Sequence, residues 1–246
     1  MILKVATTFK EIMEGWRLVY LQYLKSALIK MNPFSVFTYP EYISRNSAVI
    51  LSQVDGKSIC SVSAVLDSKN GLPLDACFPE ELNRLRGENK KLIEIGLLAN
   101  LAEKASPFYL IALLSSIARF GVYSNFHDYV IGVHPRRAKF FKELFGFHQV
   151  GSPRAYHQLR EAKVILLHAD GQMFETMSQK ANLAVYFEEA HLQFEDRFRF
   201  LRMASLKPFI AASRVVAFFK KMQNIICRRH SKAEQELKPV PIEITK

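Results

Sequence analysis

Apolar residues recur at three- and four-residue steps through Ile12, Trp16, Val19, Tyr23 and Ala27, the spacing of one helical face. Thr8-Phe9-Lys10-Glu11 ahead of that stripe has the form of a capping box, and Asn32-Pro33 is a stop signal behind it. Residues 47–54 and 57–66 then read as two strands. Asp55-Gly56 between them marks a tight hairpin, because such a turn needs residues that tolerate positive φ. Residues 67–73 read as loop. Pro79 opens a short helix over 78–86 that Gly87 closes, and 91–100 reads as a buried strand. Ser106-Pro107 is an N-cap followed by a first-turn proline. The helix it starts runs to about Phe120 and is apolar nearly all round, which predicts packing on both sides. Residues 128–134 form another apolar strand. Pro135 starts a helix whose inner face is Phe140, Phe141, Leu144 and Phe145, and Gly146 is placed to end it in a left-handed turn. Residues 147–150 and 162–168 are two further strands. This order predicts an α/β fold, a mixed central sheet flanked by crossover helices.

After Gly171 the strand signals stop, and 172–189, 195–206 and 208–229 read as helices. Residues 232–246, with Pro239 and Pro241, read as a disordered end. The expected organisation is one domain over 1–170 and a basic helical extension over 171–246. Charge follows the same division. The 246-residue chain carries a net charge of +11, and residues 197–246 hold 12 Lys or Arg against three Glu. The first 196 residues hold 22 basic against 20 acidic side chains and are nearly neutral. A tail of this kind suits an anionic partner, or is simply a solvated helical face. The 49% hydrophobic content excludes a wholly disordered chain. Three scattered cysteines exclude a disulfide framework and, lacking a Cys-x-x-Cys pair, a zinc site of that type. No metal is expected. The longest apolar run, 107–114, is far shorter than the roughly 20 residues of a membrane span, and the N-terminus displays no secretory signal. A cytoplasmic, reducing location is expected.

No local catalytic signature is present: no His-Glu-x-x-His, no phosphate-binding Gly-x-x-x-x-Gly-Lys, no Gly-x-Gly-x-x-Gly and no Gly-x-Ser-x-Gly. Certain segments nevertheless carry a resemblance. They are Gly15-Trp16-Arg17-Leu18-Val19-Tyr20 with Tyr23-Leu24, and Asp67-Ser68 through Gly71-Leu72-Pro73-Leu74-Asp75 followed by Phe78-Pro79-Glu80-Glu81-Leu82. Ile93-Glu94-Ile95-Gly96-Leu97-Leu98-Ala99 and Val133-His134-Pro135-Arg136 through Gly146-Phe147 complete the set. Over residues 8–170 the chain resembles the bacterial long-chain N-acyl amino acid synthases. These have the acyltransferase fold abbreviated GNAT and are related to the acyl-homoserine-lactone synthases, which share chiefly the Glu94 strand.

The resemblance implies an N-acyltransferase that moves a long fatty acyl group from an acyl carrier protein thioester to the amine of an amino acid or similar small amine. No permanently bound cofactor is implied; the donor is a phosphopantetheine thioester. In such a fold the thioester lies where two parallel strands part, here 92–100 and 129–134, and backbone N–H groups of Leu98, Ala99 and Asn100 would hold it. Glu94 is the candidate base or ammonium anchor; otherwise it is a strand carboxylate paired with an Arg or Lys. His134 is either a proton relay or the cap of the helix behind it. The tyrosine that many members of the fold use to protonate the departing thiolate corresponds to Phe141, so that acid is absent. The stretch 100–106 lacks the glycines of a diphosphate loop, which favours a carrier protein's single phosphate. Lys104, Ser106, Arg136 and Arg137 are the candidate donor-binding side chains, and Lys139 and Lys142 could also meet an acidic carrier. Phe108, Ile111 and Phe140, with Leu110, Leu114 and Phe145, could line an acyl tunnel or equally be core. Arg17, Arg45 and Arg154 are open alternatives for the acceptor's carboxylate. The rival reading is a catalytically degenerate acyl- or lipid-binding protein. On either reading the basic helix within 208–230 could lie on an anionic membrane, placing the protein on the inner membrane face, or could pack on the domain. No nucleic acid is expected, because no reader motif accompanies the charge.

Overall fold

The structure, a computed structural model, describes residues 2–44, 46–101, 107–172 and 176. Of the 171–246 extension, only Gly171, Gln172 and Thr176 are therefore described, and the basic helix read within 208–230 lies outside the described residues.

Helix α1 (Phe9–Lys25) begins with the capping box read from Thr8 and Glu11. Thr8 Oγ1 accepts from the Glu11 N–H at 3.3 Å, and Glu11 Oε2 accepts from the Thr8 N–H at 3.2 Å. The helix buries Trp16, Leu18, Val19 and Tyr20. It ends well before Asn32-Pro33. Ala27 turns left-handed at φ 55°, the Leu28 N–H reaches Tyr23 O at 2.9 Å and the Ala27 N–H reaches Leu24 O at 3.0 Å. That double closure stops a helix without a proline.

Among the described residues eight strands form one sheet. β1 (Ile2–Val5), β2 (Ser47–Val54), β3 (Lys57–Leu66) and β4 (Leu92–Asn100) lie side by side, followed by β5 (Asp128–Val133), β8 (Ala162–Asp170) and β6 (His148–Gln149). β7 (Arg154–Tyr156) also pairs with β8. β1 and β7 are four and three residues long and carry no periodic signal of their own; long-range pairing defines them. Helix α2 (Pro79–Gly87) precedes β4, helix α3 (Pro107–Ser124) crosses from β4 to β5, and helix α4 (Ala138–Phe145) follows β5. The proline-started segment after β5 opens as a 3₁₀ turn, Pro135–Arg137, before α4 begins, and Gly146 ends α4 at φ 69°. Two further 3₁₀ turns, Pro40–Ile43 and Pro73–Ala76, become important below.

The helices cover both faces. On one face Ile50, Val62, Ile93, Ile95, Ile131, Val133, Ile165 and Leu167 pack with Leu113, Leu114 and Ile117 of α3 and Phe141 and Phe145 of α4. Tyr129 fastens α3 to this face through an Oη–H bond to Ala118 O at 2.9 Å. The other face is covered by α1, the 40–43 turn, the 73–76 turn and α2. There Gly15 lies against Val49 and Leu51, Leu74 and Val164 flank Gly132, and Phe78 and Leu166 flank Gly151.

Every strand pair is antiparallel except β4 and β5, which run parallel in register only from Leu92↔Asp128 to Ile95↔Ile131. Beyond Ile95 both strands continue without pairing to each other. The cause lies in β4: Ser61 pairs with Ala99 but Ser63 with Gly96, so three steps of β4 oppose two of β3. The extra residue is a bulge, and within it Leu97 takes φ 47°, a left-handed conformation costly for a leucine. Its side chain is 2% exposed, so packing holds the backbone there.

At the opposite end of β5, Asp128 and His168 are both buried. His168 Nε2 bonds Asp128 Oδ1 at 2.8 Å, and its Nδ1 meets Nε2 of the exposed His148 at 3.2 Å. Burial lowers the His168 pKa, so a neutral ring donates to Asp128 and accepts from His148, tying β6 to the sheet. Asp128→Ala should leave that ring N–H buried and unpaired, lowering the unfolding free energy in urea titration by about 1–3 kcal/mol.

Candidate active site

Glu94 sits on β4 opposite Val130, one residue before the last registered pair with β5. Its side chain points to the α1 and α2 face and is only 3% exposed. No Arg or Lys pairs with it among the described residues. The Leu74 N–H donates to Oε2 at 2.8 Å, and Tyr42 Oη–H donates to Oε1 at 3.2 Å. Desolvation dominates its protonation and pushes its pKa up to about 8, against the two hydrogen bonds that favour the anion. Glu41 and Asp75, the nearby carboxylates, push in the same direction as burial.

Each partner of Glu94 comes from a 3₁₀ turn. Leu74 belongs to the Gly-Leu-Pro-Leu-Asp element, and Asp75 explains why that element has a fixed shape. Asp75 Oδ2 accepts from the Leu72 N–H at 2.7 Å, folding the turn back on itself. Arg86 of α2 then grips Asp75 with Nη1 and Nη2, both at 2.7 Å, and Asp67 with Nε at 2.6 Å and Nη2 at 3.0 Å. Asp67 is itself fixed to β4, its N–H donating to Leu92 O at 2.9 Å. One guanidinium thus clamps the turn that aims the Leu74 N–H at Glu94.

Tyr42 is 2% exposed and belongs to a run of rings on this face. Tyr23 and Phe37 are 5.3 Å apart, Phe37 and Tyr39 5.2 Å, Tyr39 and Tyr42 6.2 Å, and Tyr39 and Tyr156 6.3 Å. Burial raises all four phenols above their ordinary value, with Tyr23 pushed up to about 12, so each remains a neutral donor at pH 7. Tyr156 Oη–H donates to Pro73 O at 3.3 Å.

Past Ile95 the pairing between β4 and β5 stops, leaving a gap in the ladder, the slot. The Leu101 N–H donates to Ile59 O at 3.0 Å. Strand alternation on this side of the bulge turns the backbone groups of Ala99 towards β3 and those of Asn100 away from it. At the end of β5, His134 is exposed, and its Nδ1 accepts from the Arg136 N–H at 3.2 Å. The ring caps the 135–137 turn. Arg136, Arg137, Lys139 and Lys142 are exposed next to it.

The remaining candidates fall in several places. Lys104, Ser106 and Arg45 lie outside the described residues, as does the side chain of Phe108. Ile111 and Phe140 are partly buried against the core, and Phe140 packs edge-on against Phe141 at 5.3 Å. Phe141 is 4% exposed within that core. Arg154 is committed elsewhere, donating to Cys77 O at 2.7 Å and to Glu81 Oε1 at 2.6 Å. Arg17 is exposed on α1. Tyr42, Arg86 and the Leu74 N–H carry no sequence signal tying them to Glu94. They converge on it only through the fold, although the Gly71–Asp75 element pointed to one of the two turns involved.

A sheet whose single parallel pair parts beside a β4 bulge, with helices on both faces, is the GNAT-like fold of the acyltransferases. The chain belongs to the N-acyl amino acid synthase FeeM family, whose profile matches residues 14–170. It is an N-acyltransferase. Among solved structures it is similar to FeeM, an N-acyl amino acid synthase from uncultured soil microbes, with a TM-score of 0.62 and 22% identity. That match covers 72% of this chain and 99% of FeeM. It is also similar to BjaI, a coenzyme-A-dependent acyl-homoserine lactone synthase, with a TM-score of 0.56 and 10% identity over 73% of this chain and 88% of BjaI. The acyl-homoserine lactone synthase LasI matches with a TM-score of 0.54 and 13% identity, covering 69% of this chain and 89% of LasI. No curated protein sequence matches. Among the described residues no helix is long and apolar enough to cross a membrane, and no cluster of three His, Cys, Asp or Glu could hold a metal ion.

Because the Glu94 pKa rises on folding, the folded state takes up a proton between the ordinary value of 4.5 and about 8. Stability conferred by the protonated form is complete below the ordinary value and is lost as pH climbs to about 8. Glu94→Gln should remove this slope, of at most about 1.4 kcal/mol per pH unit, in urea unfolding compared near pH 5 and near pH 8. Arg86→Ala should cost about 2–4 kcal/mol in thermal unfolding, and Arg86→Lys should not restore it, because an ammonium cannot fork onto two carboxylates.

Proposed function

We propose that the enzyme transfers a long-chain fatty acyl group from the phosphopantetheine thioester of acyl carrier protein to the amine of an amino acid or similar small amine. The observation that carries this reading is Glu94, a buried carboxylate with no cation paired to it among the described residues, beside the point where β4 and β5 part. An amine attacks only when neutral, and a base whose pKa lies near the working pH is suited to neutralise it. The acceptor's ammonium gives one proton to Glu94 and its nitrogen attacks the thioester carbonyl carbon. The C–N bond forms, the C–S bond breaks, and the second proton leaves with the thiolate. On this reading backbone N–H groups within 98–100 of β4 would hold the thioester and its developing oxyanion. A thiol of ordinary pKa about 8.5 leaves without a strong acid, so phenylalanine at 141 is compatible with turnover.

The donor reading draws on charge. Arg136, Arg137, Lys139 and Lys142 form an exposed basic patch beside the end of β5, complementary to an acidic carrier. On this reading the catalytic unit is 1–170. The extension over 171–246, with its basic residues between 208 and 230, rests on the inner face of an anionic membrane in the cytoplasm, where a long-chain product would partition.

Purified protein incubated with acyl-acyl carrier protein and pooled amino acids should yield acyl amides detectable by mass spectrometry, with less product from acyl-coenzyme A. Glu94→Gln should reduce turnover about 100-fold or more while remaining folded. Absence of any amide, together with strong, salt-sensitive binding to anionic vesicles, would instead establish a lipid-binding protein without catalysis.

A further inference from the structure

We propose that Tyr42 is the relay through which the acceptor's ammonium delivers its proton to Glu94. The inference rests on the reading of Glu94 as the base and adds the route the proton takes.

Glu94 is enclosed, and one of its two oxygens is occupied by the Leu74 N–H. The other oxygen meets Tyr42 Oη at 3.2 Å. That hydroxyl in turn rests over Gly96, the first residue of β4 beyond the final registered pair with β5. A Cβ at position 96 would lie 1.9 Å from the phenolic oxygen and 3.7 Å from Glu94 Oε1. The missing side chain therefore reserves space for this oxygen where the strands begin to separate. The phenolic oxygen thus lies over the strand position next past the last β4–β5 pair and in contact with the carboxylate.

The turn that supplies Tyr42 is held independently of Glu94. The Tyr42 N–H donates to Tyr39 O at 3.1 Å, and Ser47 Oγ donates to Tyr42 O at 2.8 Å. The backbone that carries the ring is thus fixed without Glu94. A neutral phenol can donate one hydrogen bond while accepting another. The acceptor's N–H⁺ donates to Tyr42 Oη as the phenolic proton passes to Glu94 Oε1. The products are a neutral amine, an unchanged tyrosine and a protonated Glu94, so charge and protons balance. The other phenols do not offer this path: Tyr156 Oη–H is directed at Pro73 O, and neither Tyr23 nor Tyr39 is hydrogen-bonded to Glu94.

The test compares two acceptors with acyl-acyl carrier protein as donor: pooled amino acids, which arrive as ammonium ions, and hydroxylamine, which is already neutral at pH 7. Tyr42→Phe keeps the ring and removes only the hydroxyl. It should lower kcat with amino acids about 100-fold and leave the enzyme-dependent rate with hydroxylamine, after subtraction of the uncatalysed thioester cleavage, within about threefold of wild type. Glu94→Gln should show the same contrast, and the double variant should be no slower than Glu94→Gln alone. Equal losses on both acceptors would assign Tyr42 a packing role and overturn the relay. Full amino acid turnover in Tyr42→Phe with loss in Glu94→Gln would also overturn it, while leaving Glu94 as the base. Full turnover in Glu94→Gln would overturn the base reading itself.

Discussion

A carboxylate placed inside a protein without a counter-cation is held by dipoles alone, and the Glu94 face of the sheet is organised around that demand. Two 3₁₀ turns from separate parts of the chain each bring one donor to one oxygen. Two hydrogen bonds do not fully offset the loss of water, and the group consequently titrates near neutrality. Had Arg86 reached Glu94 directly, the carboxylate would have been fixed as an anion of ordinary or low pKa. Its charge is instead spent on Asp67 and Asp75, where it shapes a turn rather than a titration.

The second constraint is the bulge at Leu97. One additional residue in β4 shifts its register against β3, and the strand can then no longer follow β5. The slot and the buried carboxylate lie within a few residues of each other because both are set by the same strand. Conformational strain at Leu97 is accepted where it opens the sheet, and the buried leucine side chain keeps the strand from relaxing to regular geometry.

Much of the fold was legible in local patterning. The capping box at Thr8, the Asp55-Gly56 hairpin, the Pro79 start and the left-handed Gly146 all act through short-range physics that a sequence displays directly. β1 and β7 were not legible, because so short a strand exists only through its neighbour's hydrogen bonds. The end of α1 was misplaced for a related reason: Ala27 adopts a conformation usually left to glycine, and nothing in its identity announces this. At the site, Glu94 stood out as a carboxylate in an apolar strand. Its partners did not, since 52 residues separate it from Tyr42 and 20 from Leu74, and one donor is a main-chain group. Arg154, one of three open alternatives for a substrate carboxylate, bonds Cys77 O and Glu81, partners 77 and 73 residues away that local patterning does not display.

Gly96 and Tyr42 occupy the same small volume from opposite sides, so neither position can evolve alone. Any lineage that acquires a methyl or larger group at 96 must trim or reposition residue 42, and with it the neighbour of the buried acid. The two sites are expected to drift as a linked pair, and relatives bearing a bulkier residue at 96 should have rebuilt this corner of the enzyme with a different chemistry.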